Sequence, residues 1–151
     1  MNLDDLLDPQ HVDLGLTAQT KSEAIRTLVN LLAASGEIRE PEVFLKDVLA
    51  REEASSTLAE NGIAFPHART DAVSKVAVAI GRSDEGVPFG ENGEPADLIF
   101  LIAVPRRLVN DYLVCVGALA RILKDEARRV ELLRAPTAEE FISQLQRVEP
   151  A

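Results

Sequence analysis

Two short apolar runs, residues 76–80 and 98–104, restrict the fold of this sequence more than any other feature. Each run is compact, is bounded by Asp, Gly or Pro residues and does not alternate with polar side chains, which is typical of strands buried on both faces. A sheet buried on both faces needs helices on both sides, and helical patterns do precede and follow these runs. The sequence therefore predicts an α/β fold.

The helices before the strands carry local start and stop signals. Thr20 and Glu23 form a capping box, and apolar residues at helical spacing follow it. Gly36 is placed to end this helix in a left-handed conformation. A second helix is expected to begin at Pro41, whose missing N–H costs nothing in a first turn, and to end near Arg51.

The helices after the strands are marked in the same way. Residues 113–123 predict an apolar helix with Asn110 or Asp111 as its N-cap. A capping box at residues 137–140 predicts a last helix that continues to about Arg147. Residues 86–93, between the two apolar runs, are rich in turn formers. We expect one α/β domain over residues 1–151, with its core at about 3–145 and a small mixed β-sheet flanked by about five helices.

Composition excludes several classes of function. The formal net charge of −9 argues against binding nucleic acid or an anionic membrane surface. No apolar run reaches the length that spans a bilayer, and the acidic N-terminus does not resemble a signal peptide. The single cysteine, Cys115, is expected in the core and suits a reducing compartment, so we expect a cytoplasmic protein. The two histidines, His11 and His67, lie far apart and show no metal-ligand spacing, so no metal or other cofactor is expected.

Residues 51–69 carry the residue types needed for chemistry on a phosphoryl group. His67 follows a proline that fixes the backbone, and a neutral imidazole offers a nucleophilic nitrogen at cellular pH. Arg51 can make charge-assisted contacts to phosphate oxygens, and the hydroxyls of Ser56 and Thr57 add donors. The residues alone leave other interpretations open: a lone loop histidine is usually a plain surface or core residue, and Arg51 could simply stabilise a helix C-terminus.

The same stretch resembles a known motif. Its run R-E…S-T…N-G-I-A-F-P-H-A-R is similar to the phosphorylation-site pattern R-E-x-x-x-S-T-G-x-G-x-G-I-A-[IV]-P-H-[GA] of the mannitol/fructose/nitrogen-regulatory type of enzyme IIA in the bacterial sugar phosphotransferase system. The segment K-S-E-A-I at 21–25 and the passages G-V-P-F-G at 86–90 and P-A-D-L-I-F-L at 95–101 also resemble this family. The likeness covers nearly the whole chain, from about residue 3 to 145.

The resemblance implies a role for each residue of the motif. His67 matches the phosphorylated histidine, Arg51 matches the arginine that holds the phosphoryl group, and Ser56 and Thr57 match the pair that lines the site. The implied donor is the histidine-containing carrier HPr or a relative of it. A sugar-type member passes the phosphoryl group to a IIB domain, whereas a nitrogen-type member regulates protein targets. A short chain without attached IIB or IIC segments suits the nitrogen type better.

Three positions depart from the family pattern. Tyr112 stands where the family has a second histidine, and Leu58 and Glu60 replace glycines of the loop. Glu60 is expected to point into solvent, since burying an unpaired carboxylate is costly. These departures keep two alternatives open: an interaction module that has lost phosphoryl transfer, and a sugar-specific IIA that works with separate IIB and IIC chains.

Two further groups are interpreted as structural. His11 is expected in a turn or at the surface. The acidic pairs at 4–5 and 52–53 are expected to be solvated charges with no catalytic role.

Overall fold

The computed structural model describes residues 3–146. Its α-helices are α1 (Lys21–Ala34), α2 (Pro41–Ala54), α3 (Val109–Leu123), α4 (Glu126–Arg134) and α5 (Ala138–Gln146). Its strands are β1 (Val12–Asp13), β2 (Ile63–Ala64), β3 (His67–Thr70), β4 (Ala77–Pro88) and β5 (Pro95–Pro105). The predicted α/β class, with a small mixed sheet and about five helices, is confirmed.

One mixed sheet holds all of these strands. Strands β4 and β5, which contain the two apolar runs, pair antiparallel at its centre, and β1 pairs in parallel with β4. The short strands β2 and β3 both pair in parallel with β5, one after the other along the same edge. The interruption between β2 and β3 falls at Phe65 and Pro66, immediately before His67.

The sheet separates two hydrophobic layers, as the absence of alternation in the two runs predicts. Ile99 and Leu101 of β5 pack with α1 and α2 on one face. Phe100 and Ile102, the intervening residues, pack with α3, α4 and α5 on the other face. Because successive side chains of a strand point to opposite sides, β5 is buried on both faces, and it holds its neighbours β2 and β3 in register.

Several local predictions are confirmed at the level of single hydrogen bonds. The Thr20 hydroxyl accepts from the Glu23 amide, and the Thr137 hydroxyl accepts from the Glu140 amide, each at 3.1 Å. Gly36 has a φ of +80° just beyond α1, as a left-handed cap requires. The predicted end of the last helix, Arg147, lies outside the described residues.

Other element boundaries differ from the predictions. Helix α2 continues to Ala54, and α3 begins at Val109 after a 3-10 turn, so neither Asn110 nor Asp111 is its N-cap. Strand β4 extends through residues expected in a turn, helped by a register shift between Arg82 and Val87. Strand β3 and helix α4 were not located by the sequence patterns, since short strands and short polar helices depend on tertiary packing.

No helix within residues 3–146 is both long enough and apolar enough to cross a membrane.

Candidate phosphoryl-transfer site

His67 is the first residue of β3 and faces Ile102 of β5 across the parallel pair. The preceding proline has no N–H to give to a ladder, but its carbonyl accepts from the Ile102 amide at 2.9 Å and so continues the pairing. The half-buried imidazole is therefore attached to the most deeply buried strand of the sheet. A rigid support of this kind preorganises a reacting side chain.

A backbone carbonyl determines the tautomer of His67. Its Nδ1 lies 2.9 Å from the carbonyl oxygen of Phe65. Because a carbonyl only accepts, Nδ1 must carry the proton, and in the neutral ring Nε2 then holds the lone pair. The nucleophilic nitrogen of His67 is therefore Nε2.

Tyr112, from the first turn of α3, covers one face of the imidazole. The two ring centroids are 4.7 Å apart with an interplanar angle of 33°. The Tyr112 hydroxyl lies 3.3 Å from both Nδ1 and Nε2, so it sits above the ring edge rather than in the ring plane, where Nε2 directs its lone pair. This position leaves the in-plane approach to Nε2 free of the Tyr112 hydroxyl.

The surroundings keep both rings neutral. Burial lowers the pKa of His67, and Arg51 and Arg69 act in the same direction, while the Phe65 carbonyl and the Glu52 charge partly oppose them. Burial is also the main cause that raises the pKa of Tyr112. The forms present at neutral pH are therefore a neutral imidazole, whose Nε2 lone pair lies 3.3 Å from the Tyr112 hydroxyl, and a neutral phenol that can donate one hydrogen bond.

Arg51 lies in the last turn of α2, close enough to act electrostatically on both His67 and Tyr112. Its Nη1 donates to the Ser55 carbonyl at 2.8 Å, so one edge of the guanidinium is tied to the loop that follows the helix. The other donors of this planar group are available for an anion near His67. The structure thus brings Arg51, His67 and Tyr112 to one place.

The two predicted loop hydroxyls have partners of their own. Ser56 donates to the Phe89 carbonyl at 2.7 Å and accepts from the Leu58 amide at 3.1 Å. The Thr57 hydroxyl donates to the Glu52 carboxylate. Both hydroxyl protons are used inside the protein, so in this arrangement they order the loop. The amides of Thr57, Leu58 and Ala59 are bonded within the protein as well.

The loop also accommodates the residues that replace glycines. Leu58 is half-buried, packs against the core and bridges to Ala64, with no positive φ. Glu60 is exposed, as predicted. The left-handed conformations fall one and two residues later, at Asn61 (φ +64°) and Gly62 (φ +71°), which are residue types that tolerate them.

One prediction about a charged residue is wrong. Glu52 is only 4% exposed and forms an ion pair with Lys21 at 3.4 Å, so it is not a solvated charge. Its spacing from Phe44 and Val48 on α2, four residues each time, is the sequence signal for this burial. His11 lies in a 3-10 turn, as expected, but it is 6% exposed and bonded to Ser35, so it is not a surface residue.

The fold is that of a phosphotransferase-system IIA domain. The family model for the phosphoenolpyruvate-dependent sugar phosphotransferase system, EIIA 2, matches residues 5–148. The chain belongs to this family. Membership places it among the phosphotransferase components of that system.

Curated relatives come from single-component and multidomain proteins. The chain is 41% identical over 117 residues to a fructose-specific EIIA component from Haloferax volcanii, a match that covers 77% of this chain and 76% of the relative. It is 33% identical over 143 residues to the fructose-specific EIIABC component from Bacillus subtilis, covering 94% of this chain but 22% of that protein. The chain thus spans about a fifth of the length of this multidomain relative.

Solved structures of both functional branches have the same fold. The nitrogen regulatory protein IIA-Ntr from Neisseria meningitidis superposes with a TM-score of 0.86 at 26% identity, over 95% of this chain and 98% of that one. The mannitol IIA from Escherichia coli, solved in complex with phosphorylated mannitol IIB, gives a TM-score of 0.81 at 30% identity. The match covers 93% of this chain and 96% of that one.

Proposed function

We propose that this chain is a phosphoryl carrier that accepts a phosphoryl group from an HPr-type phosphocarrier protein on Nε2 of His67. The observation that carries the proposal is the hydrogen bond from His67 Nδ1 to the Phe65 carbonyl, which leaves Nε2 as the nucleophile. Family membership supports phosphoryl transfer as the chemistry and is consistent with a cytoplasmic place of action.

The proposed step is an in-line exchange between two imidazoles. The Nε2 lone pair of His67 forms the new N–P bond while the P–N bond of the donor phosphohistidine breaks, and the donor ring keeps the electron pair. The proton stays on Nδ1, where the Phe65 carbonyl stabilises the positive charge that develops on the ring. Arg51 neutralises the phosphoryl oxygens, and the Tyr112 hydroxyl above the ring edge donates one hydrogen bond to them.

For the output we propose a regulatory role, in which the phosphorylation state of His67 changes binding to a protein target. The likeness to the Neisseria meningitidis nitrogen regulatory protein supports this role. The second candidate is a sugar-specific IIA that passes the phosphoryl group to a IIB domain. The 41% identity to the Haloferax volcanii fructose-specific component favours that candidate.

One experiment tests the acceptor. Purified protein is incubated with enzyme I, HPr and phosphoenolpyruvate, and intact mass is measured at mildly alkaline pH. We expect one added phosphoryl group on the wild type and none on His67→Ala. If no phosphate is added while a competent IIA is labelled in the same tube, and a cognate HPr also fails, the interaction-module alternative takes the place of the carrier. Adding IIB domains to the phosphorylated protein then separates the outputs, since only the sugar branch loses its phosphate to one of them.

A further inference from the structure

Glu52 presents a buried carboxylate that the proposed phosphoryl transfer does not use directly. It lies on the buried face of α2, the face that also carries Phe44 and Val48, and its residue is 4% exposed. A buried carboxylate is costly unless it is paired and hydrogen-bonded. The residues around Glu52 must therefore supply hydrogen-bond and ion-pair partners. One of these partners is connected by hydrogen bonds to His67.

Both carboxylate oxygens of Glu52 are occupied. Oε2 accepts from the Thr57 amide at 3.2 Å and pairs with the Lys21 ammonium at 3.4 Å, while Oε1 accepts from the Thr57 hydroxyl. The Lys21 ammonium also lies 5.3 Å from the centre of the Phe89 ring, which keeps it against the protein. Glu52 thus fixes both the backbone and the side chain of Thr57.

The hydrogen bonds continue from Thr57 to the reacting ring. The Thr57 carbonyl accepts from the Phe65 amide at 3.2 Å. The Phe65 carbonyl accepts from His67 Nδ1 at 2.9 Å. Each residue in this series is therefore held by the one before it, from Glu52 at the end of α2 to His67 at the start of β3.

We propose that Glu52 is a positioning residue for His67, acting through Thr57 and Phe65 to hold the imidazole in the tautomer that exposes Nε2. The inference rests on the proposed function, since it assigns Glu52 a part in the same reaction. It does not make Glu52 a catalytic residue, because the carboxylate touches neither the ring nor its nitrogens. A carboxylate suits this position because it accepts from an amide, a hydroxyl and an ammonium together, which a single amide oxygen cannot do.

The test measures the tautomer before any phosphate is added. Nitrogen-15 NMR of the ring distinguishes Nδ1–H from Nε2–H in the neutral form. We expect Nδ1–H in the wild type and in Glu53→Gln, a matched control that removes the adjacent, exposed carboxylate. We expect Glu52→Gln and Thr57→Val to give a mixture of both tautomers, and Thr57→Ser, which keeps the hydroxyl, to keep the Nδ1–H form.

Rates give a second readout. In the two mixed-tautomer variants we expect kcat for phosphoryl transfer from phospho-HPr to fall about 10- to 100-fold with little change in KM, as misplacement of a reacting group does. Folded Glu52→Gln and Thr57→Val that keep Nδ1–H and a wild-type kcat would overturn the proposal. Thr57→Val decides only if Glu52→Gln does not fold, since it retains the carboxylate charge. A folded Glu52→Gln that keeps Nδ1–H and a wild-type kcat overturns the proposal whatever Thr57→Val gives. The NMR result holds even if the wild type accepts no phosphate, so the two proposals can fail separately.

Discussion

The two histidines of this chain lie in different local structures, a 3-10 turn for His11 and the start of β3 for His67, and their surroundings suit them to opposite roles. His11 donates Nε2–H to the Ser35 hydroxyl at 2.6 Å, because that hydroxyl gives its own proton to the Leu32 carbonyl. His67 uses Nδ1 as its donor and leaves Nε2 open. The cleft beside His11 is lined by three carboxylates (Asp5, Asp8 and Glu37) and one cation, Lys75, whereas two arginines (Arg51 and Arg69) and one carboxylate, Glu52, act on His67.

On the proposed function, this difference separates a phosphoryl acceptor from a structural histidine. Burial differs, since His11 is 6% exposed whereas His67 is only half-buried. The tautomer and the balance of the neighbouring charges differ as well, and an acceptor needs an in-plane lone pair and cations to receive an anionic group. The following predictions test this comparison.

Arg51→Ala should have the largest effect on the reaction. Removing the cation that faces the transferred group is expected to slow phosphorylation of His67 by phospho-HPr about 10²- to 10³-fold, the usual cost of losing one charge-stabilising donor. Rapid-quench kinetics with intact-mass detection measures the rate. The phosphorylation rate of Arg51→Lys should lie between those of the wild type and Arg51→Ala, since lysine keeps the charge but lacks the planar guanidinium. A rate for Arg51→Ala within threefold of wild type would contradict this role.

His11→Ala should affect folding and leave the reaction intact. Loss of the buried ring leaves the Ser35 hydroxyl with one partner fewer and opens a cavity, so the free energy of unfolding should fall by about 1–3 kcal/mol. Urea unfolding followed by circular dichroism measures this change. The extent of phosphorylation should equal that of the wild type. A folded His11→Ala protein that cannot be phosphorylated would mean that His11 also belongs to the reaction.

Tyr112→Phe should have a smaller effect on the phosphorylated state. The hydroxyl supplies one neutral hydrogen bond, worth about 0.5–1.5 kcal/mol, so the phosphohistidine should hydrolyse about 2- to 12-fold faster. Loss of the phosphate followed by mass spectrometry over time measures the rate. Tyr112→His, which restores the residue type of the family pattern, should hydrolyse no faster than the wild type. Equal lifetimes for the wild type and Tyr112→Phe would show that the hydroxyl does not reach the phosphoryl group.

Arg69→Ala should give the smallest change, a rise in the pKa of His67. The Arg69 charge opposes protonation of the ring, so its removal moves the pKa upward from its lowered value. Wild-type His67 should therefore stay neutral until the pH falls below about 6.5, the ordinary imidazole value, and the variant should take up its proton at a higher pH than the wild type. An NMR titration of the ring checks both curves. A downward shift in Arg69→Ala would mean that other charges control the ring.

The sequence predicts what short-range chemistry decides. The caps at Thr20 and Thr137 and the left-handed Gly36 depend only on neighbouring residues, so their structure follows directly from the pattern. The positions of His67, Arg51 and Tyr112 follow from the family motif and not from spacing, since three elements have to meet. Their roles in phosphoryl transfer stay predictions.

Interactions between distant segments explain where the structure differs from the predictions. Glu52 is buried because Lys21, 31 residues away, pairs with it. His11 is buried because Ser35, 24 residues away, accepts its N–H. Strand β3 forms because it can pair with the edge of β5. The sequence pattern of its own four residues does not predict this pairing. The burial of charged and titratable residues is the property hardest to predict from this sequence, because it depends on a partner elsewhere in the chain.

The interruption at Phe65 and Pro66 has a consequence for the behaviour of the protein in concentrated solution. Strands β2 and β3 form an edge of the sheet, and an open edge can add strands from other molecules and start aggregation. The break at Phe65 and Pro66 divides that edge into segments of two and four residues, each a poor template for growth. The loop before β2 also covers part of the edge, since Leu58 bridges Ala64 and the Ala59 amide donates to the Ile63 carbonyl at 2.7 Å. The same break that frees the Phe65 carbonyl for the imidazole thus also limits self-association through this edge.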